Sequence, residues 1–316
     1  QYINESTTDQ RAILQIAKDN KIDAIITFSS DPAIPTVAFV AEKLGLPGPS
    51  TFAADSFTNK NLFRELLKKA KLNVPDFFIT ENETIPEGLD EAKRYIVKPV
   101  DSSGSKGVRL SNGTRQNTQD CIRYALSFSR SKKCIIEEYI DGPQIHGDAF
   151  LQNGKLIASY FGDHYFYTAT NSFVPISTRW PSKINDTLFD DLIIQLESLA
   201  GISGYLNGAI NVEARVSHDN KIYIIEVGAR NGGNFVPLIQ ERLTGFNYIE
   251  AVLKSCLGQE VPTNTSVKKG IGAYYIIHAE TSGLFKSIEV APSLKPFVFR
   301  THHFKKQGEQ VEEYCG

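Results

Sequence analysis

The sequence predicts a mixed α/β (α+β) protein, with an open α/β layer at the N-terminus followed by short antiparallel strands separated by helices. Three observations carry this expectation. Residues 9–44 run helix, apolar strand, helix; a hairpin signal stands at Asn153-Gly154; and strand patterns at 209–216 and 221–227 flank the turn Ser217-His218-Asp219-Asn220. At 316 residues the chain is long enough for two or three domains with sizeable cores.

Each element has its own signal. Residues 9–20 have helical apolar spacing, 23–28 form an apolar β run, and 35–44 return to helical spacing before Gly45-Leu46-Pro47-Gly48-Pro49. A parallel unit needs at least one more strand and helix, so this layer reads as incomplete. In 59–70, Leu62, Phe63, Leu66, Leu67 and Ala70 recur at helical intervals, and Val74-Pro75 follows. Strands are expected at 96–100, 108–110, 135–140, 149–152 and 156–161, with a helix at 118–129. The stretch 162–179 reads as a long aromatic and polar loop, whose length argues for function or disorder over mere connection. Helices at 187–199, 236–243 and 248–257 and a β-rich tail from Gly270 complete the chain.

Composition removes several classes of partner. Hydrophobic residues at 41% and charged residues at 22% are those of a globular chain. Lys plus Arg number 34 against 36 Asp plus Glu, a net charge of -2, so there is no basic field to hold nucleic acid or an anionic bilayer. No apolar stretch reaches membrane-spanning length, and no secretory signal opens the chain. Cys121, Cys134, Cys256 and Cys315 form neither a disulfide framework nor a Cys-x-x-Cys pair, so a reducing cytoplasm is expected. The opening Gln1 and the absence of methionine are unusual at this length and read as a trimmed sequence.

Four constellations carry chemistry. Lys98-Pro99-Val100-Asp101-Ser102-Ser103-Gly104-Ser105-Lys106-Gly107 is a strand end followed by a small-residue loop. Its glycines let N–H groups converge on a phosphate, and its lysines neutralise charge; the plain alternative is a polar hairpin. If 209–216 and 221–227 pair around their turn, Glu213 faces Ile224 and Asn211 faces Glu226, with Arg215, Gly228 and Arg230 on the same face. Glu213 and Glu226 are then diagonal neighbours roughly 7 to 8 Å apart, and Mg²⁺ between them would relieve their repulsion; a solvated sheet face with chance acids is the alternative. Arg230-Asn231-Gly232-Gly233-Asn234 places a guanidinium beside a glycine turn, either as an anion clamp or as an exposed turn. Ile135-Ile136-Glu137-Glu138-Tyr139-Ile140-Asp141-Gly142 is a strand and turn whose backbone edge could meet a purine.

In order, Thr58-Asn59-Lys60, then Tyr95-Ile96-Val97-Lys98-Pro99 with its loop, Glu137-Glu138-Tyr139-Ile140-Asp141-Gly142-Pro143, Asn211-Val212-Glu213 and Ile225-Glu226-Val227-Gly228-Ala229-Arg230-Asn231-Gly232-Gly233 resemble the ATP-grasp superfamily. The likeness covers about residues 45–258 and is greatest to the branch of carbamoyl-phosphate synthase large-chain domains, biotin carboxylase and L-amino-acid ligases. It implies an ATP-grasp fold behind an incomplete Rossmann-like domain at 1–50. A helical connection would occupy 51–90, a small subdomain with the phosphate lid 91–138, a large subdomain with the magnesium and substrate site 139–262, and a β-rich segment 263–316.

The resemblance also implies ATP and Mg²⁺ as cofactors. Lys60 and Lys98 would contact phosphates, and Ser102, Ser103, Gly104, Ser105, Lys106 and Gly107 would fold over them. Glu137 would stand with Glu138, Tyr139 and Ile140 at the adenine pocket, and Gln144 at the ribose. Glu213 and Glu226 would hold Mg²⁺, and Arg230 would sit by the transferred phosphate as the catalytic partner of Lys98. Two positions depart from the pattern. Gly228 stands where many relatives carry an asparagine ligand, for which Asn211 or water could substitute, and Gln144 stands in place of an acid. The expected activity is an ATP-dependent carboxylate–amine ligase acting through an acyl phosphate on small-molecule substrates, with no nucleic-acid or membrane partner and compatible with a homodimer. The acceptor site is expected around His164, Tyr165, Tyr167, Asn171 and Arg179, with Asn231 and Gly232. A bicarbonate-activating enzyme and a nucleotide binder without turnover stay open at this point. A dinucleotide oxidoreductase is set aside because no Gly-x-Gly-x-x-Gly fingerprint is present.

Overall fold

A computed structural model describes residues 2–167, 173–263 and 270–313. Asn171 and Cys315 lie outside the described residues.

The N-terminal segment supplies helices α1 (Gln10–Asp19) and α2 (Ile34–Leu44). Asp9 caps α1 by accepting from the N–H groups of Arg11 and Ala12, and Gly45 ends α2 in the left-handed region at φ 66°. The expected strand at 23–28 does not form. Its backbone groups meet no partner strand among the described residues, and an apolar run alone does not make a sheet. Within the helical connection expected at 51–90, α3 (Thr51–Thr58) follows, burying Ala53, Ala54, Ser56 and Phe57. Asn59 then caps α4 (Lys60–Lys69).

Two antiparallel sheets build the rest. The smaller has β1 (Phe77–Thr80), β2 (Tyr95–Pro99), β3 (Arg109–Ser111) and β4 (Cys134–Glu138) in the order β1-β4-β2-β3. Helix α5 (Arg115–Phe128) covers one face, packing Cys121, Ile122 and Ala125 on Tyr95, Val97 and Ile136. The larger sheet contains β5 (Gln144–Gln152), β6 (Lys155–Ser159), β7 (Gly162–Tyr167), β8 (Val174–Trp180), β9 (Gly208–Val216), β10 (Ile222–Gly228) and β11 (Gly272–Tyr275). Its order is β10-β9-β5-β7-β8-β11, with β6 paired to β5 through the expected Asn153-Gly154 turn.

Helix α6 (Asp186–Ser203) lies under the larger sheet, and Leu188, Leu192, Leu196 and Leu199 join Val212, Ala214 and Ile224 in the main core. Helices α7 (Val236–Thr244) and α8 (Tyr248–Cys256) follow β10. The stretch 162–179 is therefore mostly β7 and β8, a correction of the loop reading. His164 faces Thr178 across this pair while Asp163 and Tyr165 point the other way, so both faces carry polar groups and the hydrophobic alternation is masked. Beyond Gly270 the described residues hold three short strands, β11, β12 (Gly283–Leu284) and β13 (Gln310–Val311). No described helix is long and apolar enough to cross a membrane.

Candidate active site

The carboxylate pair is built by an irregularity in the β9–β10 ladder. Val216 pairs with Ile222, Arg215 with Tyr223 and Ala214 with Ile224; the register then shifts, and Glu213 pairs with Glu226, Val212 with Val227 and Asn211 with Gly228. The expected register placed Glu213 opposite Ile224 and is corrected here. The turn is one residue longer than expected, which alone would put Glu226 on the core face. A β-bulge that takes up Ile225 returns Glu226 to the face of Glu213, while Ile224 goes into the core. Arg64 holds the bulge, donating to Ile224 O at 3.4 Å and Ile225 O at 2.8 Å.

Facing side chains on adjacent strands are closer than diagonal ones. Burial, followed by the charge of Glu226, pushes the Glu213 carboxyl up to about 7. Among the described residues no group of three or more His, Cys, Asp or Glu is arranged around a metal position. Two facing carboxylates nevertheless fit Mg²⁺, which commonly takes one or two protein carboxylates and completes its shell with water and substrate phosphate.

Strand β5 lies beside β9, with Gln144, His146 and Asp148 opposite Arg215, Glu213 and Asn211. Gln144 Nε2 donates to Glu213 at 2.7 Å and Oε1 accepts from Arg215 Nε at 2.9 Å, so the amide expected at the ribose is engaged at both ends. His146 Nε2 lies 3.0 Å from Asn211 Nδ2, and an amide nitrogen only donates. The proton is therefore on Nδ1, which meets Thr178 Oγ1 at 3.0 Å. Burial, with Arg230 adding to it, pulls the His146 pKa down to about 4. His164 stacks on His146 with ring centroids 4.5 Å apart. It is buried and kept neutral mainly by burial, and neither ring nitrogen has a hydrogen-bond partner among the described residues.

The smaller sheet supplies the cations. Lys98 on β2 pairs with Glu137 at 2.7 Å, and Glu137 also pairs with Arg64 at 2.9 Å, all three being buried. Burial lowers the Lys98 pKa; burial raises that of Glu137, but Arg64 and Lys98 outweigh it and the net shift is downward. Lys60 Nζ donates to Ser102 O at 2.7 Å, tying the start of α4 to the loop. At the far side of the loop Ser105 Oγ donates to Phe173 O at 2.8 Å, beside β8. Gly107 is a packing glycine, since a Cβ there would stand 2.7 Å from Pro99 and 2.8 Å from Phe128. Just after β4, Arg215 Nη1 donates to Tyr139 Oη and Ile140 O at 2.9 and 3.1 Å.

A cleft of about 330 Å³ between the sheets brings these groups together. Lys60, Lys98, the loop 102–106, residues 137–140, Gln144, His164, Glu213, Glu226 and Arg230 all line it; Gly107 does not. Arg179 is exposed and opposite Asp163, on the sheet face away from His164, so it is not brought to the cleft. Asn231 and Gly232 also stand back from the cleft. Asp148 accepts from Gly232 N at 2.8 and 2.9 Å, from Asn211 Nδ2 at 2.7 Å and from Asn231 Nδ2 at 3.4 Å, so both residues build the turn. A larger cavity of about 700 Å³ adjoins Arg230 and Asn231, but it lacks the lysines and the carboxylate pair.

Residues 92–237 match the ATP-grasp domain family. This segment is an ATP-grasp domain. The chain is 24% identical over 287 residues to the carbamoyl phosphate synthase large chain of Caldanaerobacter subterraneus, covering 88% of this chain and 26% of that protein. It is 26% identical over 176 residues to the phosphoribosylamine–glycine ligase of Pyrococcus furiosus, covering 54% of this chain and 40% of that one. The chain thus spans well under two thirds of these relatives. Among solved structures, the L-amino acid ligase of Bacillus licheniformis superposes with a TM-score of 0.79 at 24% identity, covering 98% of this chain and 77% of that one. At that identity the likeness speaks to the fold, and the ATP-grasp fold agrees with the two sheets and the cleft between them.

The sequence reading missed Asp31, Arg64, His146 and Asp148 as site builders. Only Arg64 left a local signal, as a charge within the apolar stripe of α4 beside Phe63, Leu66 and Leu67.

Proposed function

We propose that the chain is an ATP-dependent carboxylate–amine ligase. The observation that carries this reading is the convergence of Lys60, Lys98, a small-residue loop, the Glu213–Glu226 pair and Arg230 on one cleft in an ATP-grasp fold. In the proposed reaction a carboxylate oxygen of the substrate attacks the γ-phosphorus of ATP, the bond to the β,γ-bridging oxygen breaks, and ADP leaves. An amine then attacks the acyl carbon, phosphate departs, and the amide forms with loss of the amine proton. Phosphoryl transfer calls for positioning and charge neutralisation more than for a covalent side chain. Lys98, already held by Glu137, has ammonium N–H groups left for phosphate, and Arg230 presents a guanidinium. Glu213 and Glu226 would hold Mg²⁺, which when bound supplies further charge neutralisation at the phosphates. His164, buried in the cleft wall with no hydrogen-bond partner among the described residues, is assigned to the bound ligand rather than to the fold.

Lys98→Ala and Glu226→Ala test the assignment. Each should lower substrate-dependent ADP release by about 10² to 10³. The fold should persist, because Arg64 still neutralises Glu137 in the first variant and a repulsion is removed in the second. Near-normal turnover in either, with an unchanged circular dichroism spectrum, refutes the reading. The engagement of Gln144 with Glu213 and Arg215 favours a second reading, a nucleotide binder without turnover. ADP release that requires both a carboxylate and an amine eliminates it, and ADP release with bicarbonate alone points to bicarbonate activation.

A further inference from the structure

The N-terminal segment reaches the cleft through an ion pair between Asp31 and Arg230. Ser29, in the left-handed region at φ 63°, donates from Oγ to Gly232 O at 2.7 Å, and two residues later Asp31 meets Arg230. The pair is bidentate, with Arg230 Nε and Nη2 donating to the two oxygens of Asp31 at 2.8 and 2.7 Å. Nη1 donates to Asn231 O at 3.1 Å, so three of the five guanidinium N–H groups fix its orientation, and among the described residues one N–H on each terminal nitrogen has no acceptor. Both side chains are largely covered, at 12% and 22% exposure. An independent observation concerns Gly228. A Cβ there would lie 3.0 Å from Asp31 Oδ1 and 3.1 Å from both Cζ and Nε of Arg230, so the absent side chain leaves the space the pair occupies.

We propose that Asp31 is a positioning residue that holds the Arg230 guanidinium with its remaining N–H groups toward an oxyanion in the cleft, and that Gly228 stays open to admit this pair. The departure at 228 is then the consequence of a different use of the same space, and the N-terminal segment belongs to the site. The inference rests on the ligase reading only for its turnover arm.

The test compares wild type, Asp31→Asn, Gly228→Ala and the double variant by ¹⁵N NMR of arginine side chains, with Arg230→Lys to assign the signal. Asparagine is nearly isosteric and keeps one acceptor, and thermal unfolding checks that each variant folds. The wild type should show a slowly exchanging Arg230 Nε–H that shifts when inorganic phosphate is added in the presence of Mg·ADP. In Asp31→Asn and in Gly228→Ala the signal should broaden and phosphate affinity fall about tenfold to a hundredfold, the cost typical of a misplaced contact. Mg·ADP affinity should stay within about threefold, and the double variant should be no weaker than the single ones. In turnover the same loss should fall on kcat, with KM for ATP held. An unchanged Arg230 signal and phosphate affinity in folded Asp31→Asn overturns the proposal, as does full additivity in the double variant or wild-type kcat in Asp31→Asn. A wild-type protein inactive on every substrate mixture but behaving as expected in the phosphate titration refutes the ligase reading and supports the role of Asp31.

Discussion

Two carboxylates facing across a strand pair carry a pH signature. The Glu213 carboxyl ionises near 7 in the folded chain against an ordinary value of 4.5, so the folded state holds this proton more tightly than the unfolded one. Stability from this group is therefore lost as pH rises from about 4.5 to 7. Glu213→Gln should be more stable than wild type by a margin that grows across that window and then levels, and Mg²⁺ should raise the wild-type Tm more at pH 8 than at pH 5. Thermal unfolding across pH checks both, and a flat margin contradicts a Glu213 carboxyl raised by burial and by the facing Glu226. At this scale Glu213 and Glu226 were legible because strand alternation puts every second residue on one face, and the register at this pair differs from expectation by two residues, one from the turn and one from the bulge, which preserves the face. Asp31 was not: it meets Arg230 across 199 residues of sequence, and no local pattern encodes that contact.

The loop at 102–107 works as an element through two anchors, Lys60 to Ser102 and Ser105 to Phe173. Lys60→Ala removes the first and should loosen the loop, so trypsin should cut after the exposed Lys106 several-fold faster than in wild type, while Mg·ATP should slow cleavage of the wild type. Timed digestion with mass mapping reads both rates, and equal rates would contradict the anchoring. The loop was legible from its composition, since glycines at 104 and 107 supply positive φ and serine hydroxyls mark a polar turn. The β7–β8 pair was not, because polar side chains stand on both of its faces. Nor was the bulge, because nothing local to Ile225 shows that the preceding turn is a residue longer.

Across the whole molecule, Arg64 joins three elements: it pairs with Glu137 on the small sheet, donates to the bulge of the large sheet, and belongs to α4. Arg64→Ala leaves Glu137 with Lys98 as its partner but takes the guanidinium donors away from the buried bulge carbonyls Ile224 O and Ile225 O, which costs roughly 1–3 kcal/mol. Arg64→Ala should therefore lower Tm by several degrees and weaken nucleotide binding together, and loss of one without the other contradicts a shared origin. The order of strands and helices was largely readable because turns and apolar periods are local, whereas the cleft arises from contacts between distant segments. The central claim is tested most directly by ³¹P NMR of Mg·ATP with the purified protein, with and without pooled amino acids and small carboxylates. ADP and phosphate should appear only with the pool, and mass spectrometry of the same sample should show a new amide. ATP that binds yet stays intact with every pool would contradict the ligase account and favour a nucleotide binder.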